Sequence, residues 1–376
     1  MNKIIFDPIH GIIELDPICI KIIDTPEFQR LRFIKQLGPV FYVFPSANHT
    51  RFEHSIGVCY LAGEMIHSLK EKQPELEITK QDILNIKIAG LCHDLGHGPF
   101  SHSFDSYILD TNKPFRHHEY RSCIILHHII KKYNIELEET EIVKIKDLIY
   151  PDGSYNLNKK FLYQIVANDK NGIDVDKFDY LKRDTYYLGL KYNCDYSRII
   201  KLARVINDEI CFPKKLIFNL YEIFYTRTRL HQQVYSHPVC KSIEFMIVDI
   251  LIDMNKEIDF NKCVENIDEF CKLNDNILTI ADISKGFNKS KKLIKDIHCR
   301  NLYKYIGDIE TSEIEVHKNN PNSIIDTLEI GISDSFLENV KFYDKDMNKS
   351  FNIDPKFISN LLLNFGVKKI NRVYLK

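Results

Sequence analysis

The sequence predicts a mainly α protein, with a helical body over residues 1–310 and a smaller C-terminal α+β lobe over 311–376. Two patterns carry that reading. Through most of the first three hundred positions apolar residues recur every three to four places, the spacing that gives a helix one buried face. From about residue 312 the period drops to two, as in half-buried strands. The 376 residues, 44% hydrophobic and 27% charged, can bury a large core and match an ordinary globular composition. Composition also excludes several classes. A formal net charge of -1 gives no global electrostatic case for binding nucleic acid, so any polyanion must meet a local cluster. Asp7 interrupts the apolar run that a signal peptide needs, and no uninterrupted apolar stretch reaches membrane-spanning length. Ten cysteines stand singly without Cys-x-x-Cys spacing, which argues for free thiols in a reducing cytoplasm.

In chain order, residues 4–15 read as an extended lead-in with turns at Asp7-Pro8 and His10-Gly11. Asp24-Thr25-Pro26 starts a helix, because a side-chain oxygen can cap it and Pro26 sits where a missing N–H costs nothing. Phe28, Leu31, Ile34 and Leu37 share one of its faces; Gln29, Arg30, Arg32, Lys35 and Gln36 read as a solvated side. The next helix begins within His49-Thr50-Arg51-Phe52-Glu53-His54-Ser55 and runs through Met65 to about Leu69. Arg51 and His54 crowd its positive end, which is unfavourable unless an anion or metal site lies nearby. A helix over 79–93 delivers His93 and Asp94 to a glycine-broken stretch in which His93, Asp94, His97 and His102 fall within ten positions. Imidazole and carboxylate are both ligands for Zn, Fe or Mn, and Gly96 and Gly98 permit close backbone approach. A solvated His-rich loop is the alternative. His54 and His93 ride on different helices, as a metal centre in a bundle requires.

Phe104 and Asp105 continue a helix, and Arg116-His117-His118-Glu119 precedes another, in which His127 and His128 read as packing or surface residues. Helices over 139–149 and 159–167 follow, separated by a Pro151-Asp152-Gly153 turn. Asn171 to Asp184 then places Asp174, Asp176, Lys177, Asp179, Tyr180 and Asp184 around one helix start, where Asp174 and Asp176 could serve simply as caps. A β segment covers about Ala203–Phe212. On a long helix from Asn219 to His237, Arg227, His231 and Tyr235 recur every four residues, a basic and aromatic stripe suited to a phosphate and a flat base. Residues 239–308 read as mainly helical. Strand-like runs at Glu313–Val316, Ile325–Ile332 and Val340–Tyr343, a helix over Lys356–Phe365 and a last strand near Val373 complete the lobe.

Three long stretches, His-x-Arg-Phe-Glu-His-Ser (49–55), Cys-His-Asp-Leu-Gly-His-Gly-Pro-Phe-Ser-His (92–102) and Asn-Gly-Ile-Asp-Val-Asp-Lys-Phe-Asp-Tyr (171–180), together resemble one family. It is the HD-domain deoxynucleoside triphosphate triphosphohydrolases, specifically the catalytic core of the sterile-alpha-motif and HD-domain enzymes. Asp-Thr-Pro-Glu-Phe-Gln-Arg-Leu-Arg (24–32) and Cys-Arg-Asn-Leu-Tyr-Lys-Tyr (299–305) extend the likeness, which runs from about Ile5 to Lys376. The resemblance implies an HD-domain helical core and hydrolysis of deoxynucleoside triphosphates to deoxynucleoside and inorganic triphosphate. It implies a divalent metal (Fe, Mn, Zn or Mg, or a mixed pair) on His54, His93, Asp94 and Asp176. His102 matches the general acid, and His97, Asp105 and His118 match proton-handling and phosphate-contacting groups.

By the same likeness Arg51, Lys177 and Arg227 hold the triphosphate, Tyr180 and Asp184 touch the sugar, and Gln36 lies on the 3′-hydroxyl side. His231 joins them through the stripe it shares with Arg227. Leu37 and Tyr235 match the pair that crowds the 2′ position, and Ser236 replaces the family's glutamine. Relatives are tetramers bridged by GTP or dGTP and dNTP activators. Asp24, Gln29, Arg32 and Arg300 match the guanine site, which gives the basic side of the Asp24 helix a role. Arg198, Lys215, Asn219 and Lys304 match the second site, where Pro213 and Pro238 replace an arginine and a lysine. Guanine-nucleotide activation of a homo-oligomer is therefore expected to survive while the second site is weakened. Two alternatives stand beside this: an HD phosphohydrolase for another nucleotide, and a silent binding protein using Lys289, Lys291, Lys292 and Lys295.

Overall fold

The computed structural model describes residues 2–151, 158–192, 195–332, 339–353 and 366–376. The chain opens on a hairpin, β1 (Lys3–Asp7) and β2 (Gly11–Leu15), paired from Lys3↔Leu15 to Asp7↔Gly11. Asp7 closes the turn, accepting the backbone N–H groups of Ile9 and His10 on one carboxylate oxygen, the Asx geometry favoured at such corners. Helices α1 (Pro17–Ile23) and α2 (Pro26–Gln29) follow. Thr25 caps α2 through the Phe28 N–H, and Pro26 stands at its first position. The expected longer helix stops early. After a tight 3-10 turn over Arg30–Phe33 the backbone becomes extended at Ile34, because residues 34–36 bond across to 49–51. Arg51 N–H donates to Ile34 O and Gln36 N–H to His49 O, both at 3.0 Å. Nor is all of its basic side solvated: Arg30 is buried.

The centre of the body is α3 (Arg51–Lys72) lying against α4 (Lys80–Cys92). Thr50 and Glu53 form a capping box at the start of α3, and Thr79 with Asp82 forms another on α4, each satisfying otherwise unpaired first-turn amides. Around this pair sit α5 (His102–Tyr107), α6 (His118–Lys132), α7 (Glu139–Ile149), α8 (Tyr163–Val166) and α9 (Val175–Tyr187). Then come α10 (Ser197–Leu202), the hairpin β3 (Arg204–Ile206) and β4 (Glu209–Pro213), and α11 (Ile217–Leu230). The expected long helix to His237 is interrupted after α11 by a π-helical turn over His231–Tyr235, a distortion frequent at functional sites.

Beyond it lie α12 (Pro238–Ile258), α13 (Phe260–Glu265), α14 (Ile267–Phe270), α15 (Ile277–Ile283) and α16 (Asn288–His298). The strand β5 (Lys304–Ile309) then departs from the helical expectation for 239–308. After it, Glu313–Val316 is not a strand. Glu310 and Glu313 form a capping box that starts a helical turn continuing into α17 (Ile314–Lys318). The last strands are β6 (Ser323–Ile332), β7 (Lys341–Tyr343) and β8 (Gly366–Leu375). β8 lies between β5 and β6, antiparallel to both, while β7 runs parallel to β4. Most of the expected Pro151-Asp152-Gly153 turn and Lys356–Phe365 helix lies outside the described residues. Mainly α is the observed class, and no described helix is long and apolar enough to cross a membrane.

One close approach fixes how α3 meets α9. At Gly57 a Cβ would collide with the Asp179 carboxylate and the Arg183 guanidinium. Both of those side chains are fully buried, so neither can swing into solvent. Gly57→Ala is expected to cost about 1–3 kcal/mol of stability, the usual penalty for overpacking. A chemical-denaturation midpoint equal to the parent's would contradict this.

Candidate active site

Three helix termini bring the chemistry together. The capped start of α3 supplies Arg51 and His54 from its first turn. The end of α4 supplies His93, with Asp94 in the turn that follows. Asp174 caps α9 by accepting the Lys177 N–H, which leaves Asp176 in the first turn to face inward. Donor atoms of His54, His93 and Asp176 lie within 4.8 Å of one another. Asp176 Oδ1 is 3.1 Å from His54 Nε2 and 3.4 Å from His93 Nε2, and Asp94 is 3.5 Å and 3.4 Å from the same two nitrogens.

The ring orientations are set from behind. His93 Nδ1 donates to Gly90 O at 2.8 Å, and His54 Nδ1 donates to Asp179 Oδ2 at 2.7 Å. Both Nε2 atoms therefore face the two carboxylates, which in the absence of a cation raise the His54 and His93 pKa values against the effect of burial. His93 Nε2 is buried without a hydrogen-bond partner. Two imidazole nitrogens and two carboxylates around an unmatched buried nitrogen suit a divalent cation. Burial opposes ionisation of Asp94, but Arg51, His93 and His97 hold its carboxyl well below the usual range. Burial likewise opposes ionisation of Asp176, and the His54 and His93 rings beside it pull its carboxyl down.

Beside this group, His97, His102, Asp105 and His118 form a second cluster whose donor atoms also lie within 4.8 Å. His97 stacks on His118 with centroids 3.8 Å apart. Asp94 Oδ1 joins the clusters, 3.3 Å from His97 Nε2. Asp105 gives one oxygen to Arg121; the other is 3.9 Å from His97 Nδ1 and 3.7 Å from His118 Nδ1, and is buried without a hydrogen-bond partner. Burial pushes the Asp105 carboxyl up to about 6 against the pull of Arg121. Burial also holds His97 and His118 well below the ordinary imidazole value, reinforced by Arg51 for His97 and by His97 for His118. His102 stands exposed at the edge; protein packed round its ring, then the Arg51 charge, bring it down to about 4.

Buried arginines hold the turn that carries these groups. Arg30 donates to His97 O and Leu95 O at 2.8 and 2.6 Å, and Arg121 Nε to Gly96 O at 2.7 Å. Arg51 turns inward, pairing with Asp94 and donating to Ser101 Oγ at 2.8 Å. Lys177 Nζ lies on Asp174 at 2.9 Å. At the expected sugar end, Tyr235 Oη donates to Asp184 Oδ2 at 2.5 Å, and His49 Nε2 meets Asp184 Oδ1 at 2.7 Å. His231 packs edge-on against Tyr235. Burial raises the Tyr180 phenol above its ordinary value, and the nearby Lys177 and Arg227 charges pull it back, so the three share one neighbourhood. Leu37 is half-buried, and Gln36 Oε1 is buried without a partner.

Residues 51–203 match the HD domain family model. Over 380 residues the chain is 42% identical to the deoxynucleoside triphosphate triphosphohydrolase SAMHD1 homolog of Dictyostelium discoideum, covering 98% of this chain and 73% of the relative. It is 38% identical over 440 residues to the deoxynucleoside triphosphate triphosphohydrolase SAMHD1 of Homo sapiens, covering 100% and 70%. A putative HD domain-containing protein of Acanthamoeba polyphaga mimivirus is 39% identical over 333 residues, covering 80% and 72%. The chain belongs to the HD-domain deoxynucleoside triphosphate triphosphohydrolases.

The remaining expected residues of this triphosphohydrolase lie at the surface or at element ends. Asp24 is 4.0 Å from Lys3. Gln29 accepts from Arg32 Nε at 2.7 Å and donates to Ile23 O, while the Arg32 guanidinium sits 3.5 Å from the Phe52 ring centroid. Arg300 donates to Tyr42 O at 3.1 Å. Arg198 is on α10, Lys215 just before α11, Asn219 in its first turn and Lys304 at the start of β5. Pro213 ends β4 and Pro238 opens α12. Asp179, His49, His10, Arg183, Arg30 and Arg121 were given no role from sequence. Asp179, three positions after Asp176 on one helix, offered a local signal; His10 approaches only through the fold.

A cation held by His54, His93, Asp94 and Asp176 would bind the folded state alone, and so stabilise it by mass action. Adding Mn2+ to metal-stripped protein should raise its melting temperature, and His93→Ala or Asp176→Ala should abolish most of that rise. An equal rise in parent and variants would place the cation elsewhere.

Proposed function

We propose that this chain hydrolyses deoxynucleoside triphosphates to deoxynucleoside and inorganic triphosphate, with His54, His93, Asp94 and Asp176 as the metal ligands. The observation that carries the reading is the junction of two clusters through Asp94, a metal-suited donor set directly beside buried imidazoles that can handle protons. A divalent ion bound there supplies an acidified water and polarises a phosphate oxygen. The chain's own groups supply the rest. Arg51 and Lys177 bring positive charge to the triphosphate, and Arg227 adds to it from α11. His97 and His118, neutral by burial, can accept hydrogen bonds from water or a protonated phosphate oxygen. The bond cleaved joins the α-phosphorus to the 5′-oxygen: water oxygen goes to triphosphate, and a proton goes to the departing nucleoside.

His102 is the proposed donor of that proton. Unliganded, it is neutral at pH 7. A polyanion laid against Arg51 offsets the charge that depresses it and raises its pKa. Since the acid must be protonated, activity falls as pH rises through its pKa. The kcat profile reports the substrate complex and kcat/KM the free enzyme, so this falling limb should lie at higher pH for kcat. His102→Gln should remove the limb and lower kcat about 100-fold or more. Coincident limbs in the parent would contradict substrate-raised protonation.

Tyr235, its hydroxyl held by Asp184, is proposed to crowd a 2′-hydroxyl together with Leu37, as the family likeness implies. That supports deoxyribonucleotides as substrates. We further propose activation by GTP or dGTP in a homo-oligomer, through Asp24, Gln29, Arg32 and Arg300. The second activator site, with Arg198, Lys215, Asn219 and Lys304, is weakened because Pro213 and Pro238 bring no charge. Residues 311–376 are proposed as the lobe that completes the body's C-terminal side. Chromatography of products from each dNTP, with and without GTP, tests the whole reading. Deoxynucleoside plus triphosphate, formed faster and with a larger sedimentation coefficient in GTP, is expected. Monophosphate or pyrophosphate would overturn the reaction, and indifference to GTP would overturn the activation.

A further inference from the structure

Asp179 is fully buried behind His54 and is held by three residues, from α3, α9 and the β1–β2 turn. Its Oδ2 accepts from His54 Nδ1 at 2.7 Å and Arg183 Nε at 2.8 Å. Its Oδ1 accepts from His10 Nε2 at 2.6 Å and Arg183 Nη2 at 2.9 Å. Arg183, itself fully buried, turns its remaining nitrogen to Asp7 Oδ2 at 2.9 Å. Asp7 uses its other oxygen to close the β1–β2 turn on the amides of Ile9 and His10, at 2.8 and 2.9 Å. One carboxylate thus folds the hairpin turn and ties it to α9, and the turn delivers the His10 ring to Asp179.

We propose that the N-terminal hairpin turn is an outer layer of the metal centre, with His10 as a positioning residue for His54 acting through Asp179. The proposal rests on the reading of His54 as a metal ligand. The physical reason is orientation. A carboxylate that receives two donors on each oxygen is held against rotation, so it presents Oδ2 to His54 Nδ1 in one geometry. That keeps the proton on Nδ1 and the Nε2 lone pair toward Asp94 and Asp176. Gly57 supplies the room in which this carboxylate sits.

His10 is also the vulnerable partner. It lines a cavity of about 350 Å³ with Tyr60, Glu64, Phe178 and Lys182, and it stacks tilted against Tyr60 at 5.2 Å. Without its imidazole, water from that cavity reaches Asp179 Oδ1, which Arg183 Nη2 then holds alone, and the carboxylate can shift from its line to His54.

The test uses the full, metal-stripped chain, with Mn2+ titrated calorimetrically and the melting temperature of the metal-free protein recorded alongside. Loss of an outer-layer partner typically weakens metal binding about 10- to 100-fold. His10→Ala is expected to lose Mn2+ affinity in that range and to lower kcat with little change in KM. His10→Leu keeps apolar bulk against Tyr60 but lacks the donor, so it should fall with His10→Ala. His10→Gln, whose amide N–H can reach Asp179, should recover most of the affinity. A lowered melting temperature with Mn2+ affinity within about twofold of the parent in both His10→Ala and His10→Leu would overturn the proposal. Asp94→Ala separates the two readings. If it binds Mn2+ like the parent, the metal-site assignment itself fails, whatever His10 does.

Discussion

The interaction on which the rest depends is the buried contact between Asp179 and His54. It joins α9 to α3, fixes one imidazole, and is possible only because Gly57 leaves space between the helices. An ionised carboxylate without partners would be expensive in such a place. Here Arg183 supplies a bidentate pair, and His54 and His10 supply further donors, so charge is matched where water is excluded. Removing any one member leaves the others buried and short of a partner.

The same logic recurs on the cleft side. Arg51 and Asp94 are both buried and paired, and Asp94 stands between the two His clusters. The pairing keeps Asp94 ionised in the absence of a cation. It also holds a positive charge near His102, which adds to the lowering that burial already imposes there. A polyanionic substrate would redistribute that charge. The protein therefore carries groups that are poorly satisfied alone, His93 Nε2, His97 Nδ1 and Asp105 Oδ2 among them, in one place. Unmatched polar atoms are costly in a core, and their concentration beside the metal-suited donors is the mark of a site built to be filled.

Much of this was legible in the sequence. His93-Asp94 at the end of an apolar helix, and Asp176 just inside a capped one, announce themselves by local spacing and by chemistry that a core does not need. Arg30 does not: its position among polar residues suggests solvent, and only the fold shows it bent inward to the carbonyls of Leu95 and His97. His10 and Arg183 are separated by long stretches of chain from the group they serve, so no periodicity connects them. Glu313–Val316 alternates like a strand, but none of those residues has a buried face to enforce the register, and the local capping box decides for a helical turn. The π turn at His231–Tyr235 changes the aim of Tyr235 in a way an ideal four-residue stripe does not anticipate.

In the proposed reaction water attacks the α-phosphorus at this centre and triphosphate leaves whole. Hydrolysis of a dNTP in oxygen-18-labelled water measures it most directly. One labelled oxygen is expected in the inorganic triphosphate and none in the deoxynucleoside. Label in the deoxynucleoside, or in a released monophosphate or pyrophosphate, would contradict it.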